Sequence, residues 1–259
     1  MQLTFYKYQG TGNDFILLDN RNGTISLSTE QINHLCDRRI GVGADGLMLL
    51  ERVTDYDFKM VYYNADGNES TMCGNGGRCI VAFAFALGII KNQTSFLAID
   101  GGHIATLESP TYVNLQMIPV TAIEKSNEDF ILNTGSPHYV QWIEDVTNID
   151  VFHLGRAIRQ QERFQPKGIN VNFATQKSDD IITVRTYERG VEDETLSCGT
   201  GVTAVAIAST YGQEGIFKKT IETPGGVLSV SFEKDGPSSA NNVWLSGPAL
   251  MVYQGEITL

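Results

Sequence analysis

The sequence has no apolar stretch long enough to cross a membrane, and residues 1–7 do not look like a leader. The longest apolar run, residues 80–87, is far short of the roughly 20 residues that span a bilayer. The first residues lack the basic region, apolar segment and small-residue cleavage site of a signal peptide. We therefore expect a cytoplasmic location and no membrane partner.

Cysteine is scarce, and its spacing does not suit a metal site. The chain has four cysteines, Cys36, Cys73, Cys79 and Cys198, and no C-x-x-C pair of the kind that binds zinc or forms thioredoxin-like motifs. In a reducing compartment such residues remain thiols. We expect neither a structural metal nor a disulfide.

Basic residues are in the minority. The chain has 19 Lys and Arg against 30 Asp and Glu, a net charge of −11, so nucleic-acid phosphates and anionic lipids are repelled. We expect a small-molecule ligand and no nucleic acid, although a local cation such as Arg189 can still bind a carboxylate. The 259 residues, 42% of them hydrophobic, suffice for one large domain or two ordinary ones.

The sequence does contain a weak internal duplication. Residues 73–76, Cys-Gly-Asn-Gly, recur at 198–201 as Cys-Gly-Thr-Gly. Three further matches lie at nearly the same displacement: residues 11–13 with 134–136, Gly43 with Gly168, and residues 101–102 with 225–226. Four ordered matches at almost one spacing indicate two related halves.

Each half contains similar predicted elements. One amphipathic helix follows Ser28, which forms a capping box with Gln31, and another follows Asp150, with Val151, Leu154 and Ile158 on its apolar face. Alternating residues at 58–62 and 227–232 predict strands.

The segments after the two Cys-Gly motifs predict buried helices. Residues 78–87 and 202–211 are apolar nearly all round, which is typical of a helix surrounded by other structure. Gly88 and Gly212 are the expected C-caps. We predict an α+β fold of two pseudo-symmetric domains, each a barrel-like β-sheet wrapped around a central buried α-helix. The first comprises residues 1–118 with 250–259 and carries Cys73; the second comprises residues 119–249 and carries Cys198.

Cysteines at two helix starts suggest proton transfer. The N–H groups and dipole of a helix N-terminus favour a thiolate. Inversion of a stereocentre needs a base on one face of a carbon and an acid on the other, which a thiolate and a thiol supply. We expect Cys73 and Cys198 to face each other across an interdomain cleft, where the two helix N-termini stabilise charge developing on a carboxylate.

Other interpretations of these motifs are weaker. A single Cys-Gly-x-Gly would more simply be a tight turn with a buried cysteine, but its duplication at two buried helices favours chemistry. Cys36 and Cys79 are expected to be small core residues. Residues 41–46 match the dinucleotide fingerprint G-x-G-x-x-G, yet they follow a helix and precede a strand, the reverse of the required order.

Taken together, the motifs resemble the diaminopimelate epimerase family over nearly the whole chain. The matching segments are residues 10–15 (Gly-Thr-Gly-Asn-Asp-Phe), 64–79 (Asn-Ala-Asp-Gly to Cys-Gly-Asn-Gly-Gly-Arg-Cys), 135–138 (Gly-Ser-Pro-His) and 188–201 (Glu-Arg-Gly to Cys-Gly-Thr-Gly). The resemblance implies a homodimer that converts LL- to meso-diaminopimelate without pyridoxal phosphate, metal or other cofactor, for lysine and peptidoglycan precursor biosynthesis.

The resemblance also implies a role for individual residues. Cys73 and Cys198 correspond to the catalytic cysteines. The residues implied to hold the reacting α-carboxylate and its neighbours are Gly74, Asn75, Gly199 and Thr200. The polar set around the substrate is Asn13, Asn64, Asn170 and Arg189, with the Arg189 guanidinium suited to the distal carboxylate. His138 and Glu188 are implied to tune the cysteines and hold the substrate amine.

Some of these residues have simpler explanations, and three features depart from the family pattern. Asn64 can build a turn, Glu188 and Arg189 can form a surface ion pair, and His138 can be structural. Ser136 stands where the family commonly has asparagine and is a further candidate substrate contact. Gly46 replaces a glutamine of some members, and the segment between Glu188 and Cys198 is one residue longer than usual, which leaves the strictness for diaminopimelate open.

Two rival functions fit parts of the pattern. Proline racemases and hydroxyproline epimerases share the cysteine pair, but they typically have histidine where this chain has Asn75, and a cyclic substrate leaves Arg189 and Asn64 unexplained. A non-catalytic amino-acid-binding relative has no need of both cysteines, and both are present.

Overall fold

The computed structural model describes residues 1–259, which form two compact units. Unit 1 comprises Met1–Leu115 and Gly247–Leu259, and unit 2 comprises Gln116–Ser246. No helix is both long and apolar enough to cross a membrane.

The helices and strands follow one another in a repeated order. The strands are β1 (Gln2–Gly10), β2 (Asn13–Asp19), β3 (Gly46–Glu51), β4 (Phe58–Asn64), β5 (Gln93–Ala98), β6 (Gly101–Ser109), β7 (Tyr112–Gln116), β8 (Ile123–Ser126), β9 (Asp129–Asn133), β10 (Pro137–Trp142), β11 (Asn170–Gln176), β12 (Ile181–Glu188), β13 (Asp193–Thr195), β14 (Gly215–Thr223), β15 (Gly226–Lys234), β16 (Asn241–Pro248) and β17 (Leu250–Thr258). The helices are α1 (Thr29–Cys36), α2 (Gly74–Ala86), α3 (Val151–Arg159) and α4 (Gly199–Ala208), with a 3-10 turn at Glu162–Phe164.

The two units have the same strand order and the same strand directions. In unit 1 the order is β17-β1-β2-β3-β4-β5-β6-β7, with parallel pairs at β2/β3 and β4/β5 and antiparallel pairs elsewhere. In unit 2 the order is β8-β9-β10-β11-β12-β14-β15-β16, with parallel pairs at β10/β11 and β12/β14. The duplication in the sequence is therefore a duplication of topology, with β17 from the C-terminus completing unit 1.

Each sheet curls around one helix. Helix α2 contacts β1, β2, β3, β6 and β17, and α4 contacts β9, β10, β11, β12, β14 and β15. Contacts with strands from both ends of the order require the sheet to wrap round the helix. The predicted fold class is confirmed. Small and apolar residues, such as the buried Ala204, Val205 and Ala206 of α4, allow the strands to approach on all sides.

The helix boundaries differ from the predicted ones. Helix α2 begins at Gly74 rather than residue 78, and it ends in a Schellman motif: Gly88 N–H donates to Phe85 O (2.9 Å), Ile89 N–H donates to Ala84 O (3.0 Å), and Gly88 has φ 70°.

Helix α4 ends at Ala208 rather than at residue 211. The hydroxyls of Ser209 and Thr210 donate to the carbonyls of Ala206 (2.7 Å) and Ile207 (3.0 Å). These carbonyls of the last turn therefore have hydrogen-bond donors before the chain reaches Gly212. The prediction of Gly212 as the direct C-cap was wrong.

The amphipathic helices begin where predicted. Ser28 and Gln31 form the capping box of α1, and Asp150 caps α3. On α3, however, Leu154 is 47% exposed, whereas Gly155 packs against Tyr187 so closely that a Cβ there would lie 2.3 Å from the tyrosine Cβ. The buried face of α3 is therefore rotated from the one that the apolar spacing predicted.

Candidate functional site

Cys73 caps the N-terminus of α2. Its backbone is extended, and its Sγ accepts a hydrogen bond from the Gly76 N–H at 3.2 Å. A Cβ on Gly76 would lie 3.1 Å from that sulfur, so glycine lets the N–H approach. An N–H aimed at the sulfur from a helix N-terminus stabilises negative charge there.

Asn75 is held with its NH2 group towards Asn13. Its Oδ1 accepts from Arg78 Nη2 (3.0 Å) and Thr11 Oγ1 (3.4 Å), and its Nδ2 donates to Asn13 Oδ1 (3.4 Å). Because a guanidinium can only donate, Arg78 fixes the orientation of the amide. Asn13 in turn donates to Asp45 Oδ2 at 2.6 Å, so both asparagines have defined donor and acceptor ends.

Arg78 is fully buried, with none of its surface exposed. Besides Asn75, it bonds Gly74 O through Nη1 at 3.1 Å, and burial lowers the pKa of its guanidinium. No carboxylate forms an ion pair with it. A cation near the start of α2 favours negative charge at the neighbouring Cys73.

A cluster of ion pairs holds the carboxylate that binds Asn13. Asp14 contacts Lys7 Nζ (2.7 Å) and Arg38 Nη2 (2.6 Å), and the same Arg38 nitrogen contacts Asp45 (2.7 Å). Burial by itself would raise the pKa of Asp14, but hydrogen bonds from Arg38 and Lys7 outweigh it and lower the pKa to about 2. Asp45 is thereby fixed as the acceptor for Asn13.

Asn64 ends β4 and is exposed. It lies opposite Gly46 in the β3/β4 register, and Gly46 lies opposite Phe15 of β2, so Asn64 and Asn13 occupy the same edge of the sheet. Its backbone builds a turn, accepting from Gly67 N–H at 2.9 Å. The structure also explains Gly46, since a Cβ there would lie 2.6 Å from the Tyr62 ring.

Cys198 caps α4 in unit 2, in the position equivalent to Cys73. It is 7% exposed, and its Sγ lies 3.5 Å from Thr200 Oγ1. The same hydroxyl lies 2.9 Å from His138 Nε2. The His138 ring and the Cys198 sulfur therefore have the Thr200 hydroxyl as a common neighbour.

His138 is neutral in this environment. It is completely buried, and burial, followed by the nearby charge of Arg189, lowers its pKa from 6.5 to about 3. Its second ring nitrogen, Nδ1, lies 3.1 Å from Asn172 Nδ2. A neutral imidazole has one donor and one acceptor nitrogen, so these two neighbours decide which is which.

A second cluster in unit 2 joins Ser136, Asn170 and Arg189. Asn170 Nδ2 donates to Ser136 Oγ (2.8 Å), and its Oδ1 accepts from the Arg189 N–H (2.9 Å). Arg189 also donates through Nη1 to Lys167 O (3.1 Å) and through Nη2 to Ser136 Oγ (3.4 Å). Asn170 lies opposite His138 in the β10/β11 register, so this cluster adjoins the one around Cys198.

Glu188 ends β12 and accepts from Thr195 Oγ1 at 3.0 Å. The segment after Glu188 folds back as β13 on β12. Its turn contains Gly190 (φ 94°) and Glu192 (φ 60°), and the Glu192 carboxylate binds Arg159 at 3.0 Å.

The two units place different side chains behind equivalent cysteines. Met48 and Tyr62 are register partners in unit 1, and Asn172 and Thr186 are the equivalent partners in unit 2. Phe15, opposite Gly46, corresponds to His138, opposite Asn170. The strand positions in unit 1 therefore hold Phe15, Met48 and Tyr62. The equivalent positions in unit 2 hold His138, Asn172 and Thr186, which are joined by hydrogen bonds.

Sequence reasoning missed Thr11, Thr134, Arg78, Asn172 and Thr186. Thr11 and Thr134 are equivalent, and each bonds the third motif residue of its own unit: Thr11 the Asn75 side chain, Thr134 the Thr200 carbonyl (2.8 Å). The repeated Thr-Gly was a usable signal for both. Asn172 and Thr186 gave none, because they occupy inward positions of strands that otherwise resemble an apolar core.

The remaining cysteines are core residues, as predicted. Burial raises the pKa of Cys36 to about 11 and that of Cys79 to about 12. A cavity of about 660 Å³ in unit 2 is lined by Arg185, Glu194 and Glu222 among others. None of the predicted site residues lines it, and the Arg185 guanidinium is already bound to both oxygens of Glu194.

The whole chain matches known proteins in sequence. The family model described as diaminopimelate epimerase matches residues 5–116 and 130–252. A diaminopimelate epimerase of Flavobacterium psychrophilum is 52% identical over 98% of this chain and 100% of the relative, and one of Aquifex aeolicus is 40% identical over 99% and 98%. The chain belongs to the diaminopimelate epimerase family. It is therefore an isomerase of the amino-acid epimerase class.

Solved structures share the fold at low sequence identity. A PhzF-family phenazine biosynthesis protein of Bacillus anthracis matches with a TM-score of 0.77 at 13% identity, covering 100% of both chains. A hydroxyproline epimerase of Agrobacterium vitis matches with a TM-score of 0.67 at 14% identity, covering 99% of this chain and 91% of the other. At such low identity these matches confirm the fold alone and do not indicate the substrate of this epimerase.

Proposed function

We propose that this epimerase interconverts LL- and meso-diaminopimelate by a two-base transfer in which Cys73 and Cys198 act on the same α-carbon. The observation that carries this is the placement of each cysteine as the N-cap of the buried helix in two units of identical topology. The names of the full-length relatives supply the substrate. The corresponding metabolic role is the formation of lysine and of peptidoglycan precursors.

The proton balance is simple. The thiolate of one cysteine removes the α-hydrogen, so a C–H bond breaks and an S–H bond forms. The thiol of the other cysteine delivers its proton to the opposite face, so an S–H bond breaks and a C–H bond forms. The roles are exchanged in the reverse reaction, and no cofactor is needed to balance the step.

The reacting carboxylate is assigned to the helix N-termini. We assign its contacts to the N–H groups that follow the cysteines, at Gly74, Asn75, Gly199 and Thr200. Donors at a helix N-terminus stabilise the charge that develops on a carboxylate as its α-hydrogen leaves. The asparagine orientation fixed by Arg78 adds a side-chain N–H to this set in unit 1.

The second amino-acid end of the substrate is assigned to the polar clusters. Ser136, Asn170 and Arg189 form one connected group in which the guanidinium offers two donors to a carboxylate. Asn13 and Asn64 supply amide groups, and Glu188 supplies an anion for an ammonium group. His138 influences Cys198 through Thr200.

The domain division and the oligomeric state are further proposals. We propose that residues 1–118 with 250–259, and residues 119–249, are the two domains of a protein that forms a homodimer. Support for the dimer comes from β17, where Leu250, Met251, Val252 and Tyr253 are 38%, 50%, 56% and 44% exposed. Four consecutive exposed apolar residues are suited to an interface with a second copy.

The dimer is tested by light scattering of the purified protein. We expect a dimer mass for the parent and a monomer mass for the double variant Met251→Lys with Val252→Lys. Ile216→Lys is the control, since Ile216 is an 82% exposed apolar residue in unit 2 and its replacement leaves the dimer intact. A monomeric parent, or a dimeric double variant, would contradict the assignment.

The activity is tested with purified protein and LL-diaminopimelate. Chromatographic resolution of the stereoisomers should show meso-diaminopimelate formed without added pyridoxal phosphate or metal. Proline and hydroxyproline serve as the competing substrates, and turnover of either in preference to diaminopimelate would refute the proposed substrate.

A further inference from the structure

The buried Asn172, on strand β11 of unit 2, has an amide group whose orientation is determined by its hydrogen-bond partners. Asn172 has no exposed surface. Its Nδ2 donates to the Tyr139 carbonyl at 3.0 Å, and its Oδ1 accepts from Thr186 Oγ1 at 3.0 Å. A carbonyl can only accept, so the NH2 group of Asn172 must point towards Tyr139.

The same NH2 group determines the tautomer of His138. Asn172 Nδ2 lies 3.1 Å from His138 Nδ1, and an amide nitrogen has only protons to offer. Nδ1 is therefore the acceptor, and in the neutral ring the proton must be on Nε2. That N–H is directed at Thr200 Oγ1, 2.9 Å away.

Proton placement on His138 sets the direction of the next bond. Because Thr200 Oγ1 accepts from Nε2, its own proton is available to the Cys198 sulfur, 3.5 Å away. A thiolate accepts this bond, whereas a thiol competes as a donor. Donation to the charged form of a group stabilises that form.

We propose that Asn172 is a positioning residue, which fixes the tautomer of His138 and so directs the Thr200 hydroxyl to stabilise the Cys198 thiolate. The proposal deepens the proposed function, because it assigns the support of one of its two bases. The equivalent position in unit 1 is Met48, whose methyl lies 3.0 Å from where a Gly76 Cβ would stand. A methionine has no amide to orient a neighbouring ring, so this position in unit 1 has no counterpart of the Asn172 amide.

The first test is a titration of Cys198 in the absence of substrate. In Cys73→Ala protein, thiolate absorbance that develops below the range of Cys36 and Cys79, whose pKa values are about 11 and 12, reports Cys198. Adding Asn172→Leu, which is similar in size and has no amide, should raise the ionisation midpoint by about one pH unit, a tenfold change in the ionisation constant. An unchanged midpoint would overturn the proposal.

Thr186→Val is the matched control in the same Cys73→Ala background. It removes one buried hydrogen bond of Asn172 but leaves the Tyr139 carbonyl to orient the amide. We expect the midpoint of Cys198 to stay where it is in Cys73→Ala alone. An equal rise in both variants would show that loosening of the core, rather than the amide, controls Cys198, and would refute the role of Asn172.

The second test uses the unmodified protein and does not depend on a variant folding. Nitrogen-15 magnetic resonance of the histidine rings distinguishes the two tautomers, and the chain has 4 histidines to assign. His138 should carry its proton on Nε2 and remain neutral at pH values where exposed histidines are charged. An Nδ1–H tautomer or a charged ring would overturn the proposal even if the protein turned over diaminopimelate, whereas failure of turnover would leave both measurements intact.

Discussion

At the scale of single residues, the four cysteines are distinguished by what surrounds them. Cys73 and Cys198 each begin a helix, with a backbone N–H or a hydroxyl near the sulfur. Cys36 and Cys79 are buried, and burial raises their pKa values. Chemical role therefore follows from position in the fold and not from the amino acid alone.

Replacing the two helix-start cysteines should abolish turnover. Cys73→Ala and Cys198→Ala are each expected to lower kcat by at least about a thousandfold, because each removes a general acid or base. Cys36→Ala is the control and should retain substantial activity with some loss of stability. Steady-state assays with LL-diaminopimelate provide the comparison, and near-parental turnover in either helix-start variant would contradict the assignment.

Arg189 should act chiefly on binding. Arg189→Lys keeps the charge but loses the planar two-point contact, so KM for diaminopimelate should rise about tenfold or more with a smaller effect on kcat. Arg156→Lys, an exposed arginine on α3, should leave both constants unchanged. An unaltered KM in Arg189→Lys would assign this side chain to structure alone.

His138 should make the fold sensitive to acid. Its pKa is about 3 in the folded protein and near 6.5 when unfolded, so the unfolded chain binds the extra proton between these values. The stabilisation of the folded protein that depends on a neutral His138 is therefore complete above pH 6.5, and it decreases as the pH is lowered towards 3. Between pH 7 and pH 5 the free energy of unfolding should decrease by about 2 kcal/mol.

Urea unfolding at the two pH values measures this loss. His138→Gln removes the titrating ring while keeping a buried polar side chain, so its free energy of unfolding should depend less on pH over the same interval. If the variant lost as much as the parent, other groups would be responsible.

At the scale of secondary structure, the sequence predicted the starts of elements better than their ends and their buried faces. The capping box at Ser28 and the cap at Asp150 are local hydrogen-bond patterns, and both are present. The end of α4 was missed because hydroxyls of Ser209 and Thr210 terminate it. The buried face of α3 was missed because Gly155 packs directly against Tyr187. The spacing of apolar residues does not reveal a contact made by a glycine.

Two substitutions on α3 test which of its faces is buried. Gly155→Ala should destabilise the protein by about 1–3 kcal/mol, since the added Cβ meets Tyr187 and outweighs the helix preference of alanine. Leu154→Ala, at a 47% exposed position, should change stability by less than about 1 kcal/mol. If denaturant unfolding showed Leu154→Ala to be the more destabilising of the two, the buried face of α3 would be the one that the sequence predicted.

At the scale of the whole molecule, the repeated topology follows from signals that the sequence carries weakly but more than once. The Cys-Gly-x-Gly motif and the Thr-Gly pair mark equivalent points in both units, and one copy of either would have been ambiguous. The positive φ at Gly101 (122°) and Gly226 (141°) shows that Gly226, rather than Gly225, is the partner of Gly101. Register of this kind is set by strand pairing and is invisible in composition.

The least predictable feature is the difference between the two units. Asn172 and Thr186 replace Met48 and Tyr62 at equivalent strand positions. The role of Asn172 appears only once β10 and β11 place it beside His138, because no local pattern in the sequence links residues so far apart. The duplication in the sequence thus predicts the topology that the two units share. The polar contacts that distinguish unit 2 depend on long-range strand pairing and could not be predicted.

The measurement that tests two-cysteine catalysis most directly is isotope incorporation in deuterium oxide at low conversion. If one cysteine removes the α-hydrogen and the other delivers a proton from a thiol already exchanged with solvent, the product carries deuterium at the inverted carbon while recovered substrate carries little. Mass spectrometry of the separated LL- and meso-isomers should show this asymmetry. Substantial retention of the original hydrogen in the product would show that one base serves both faces and would contradict the two-cysteine account.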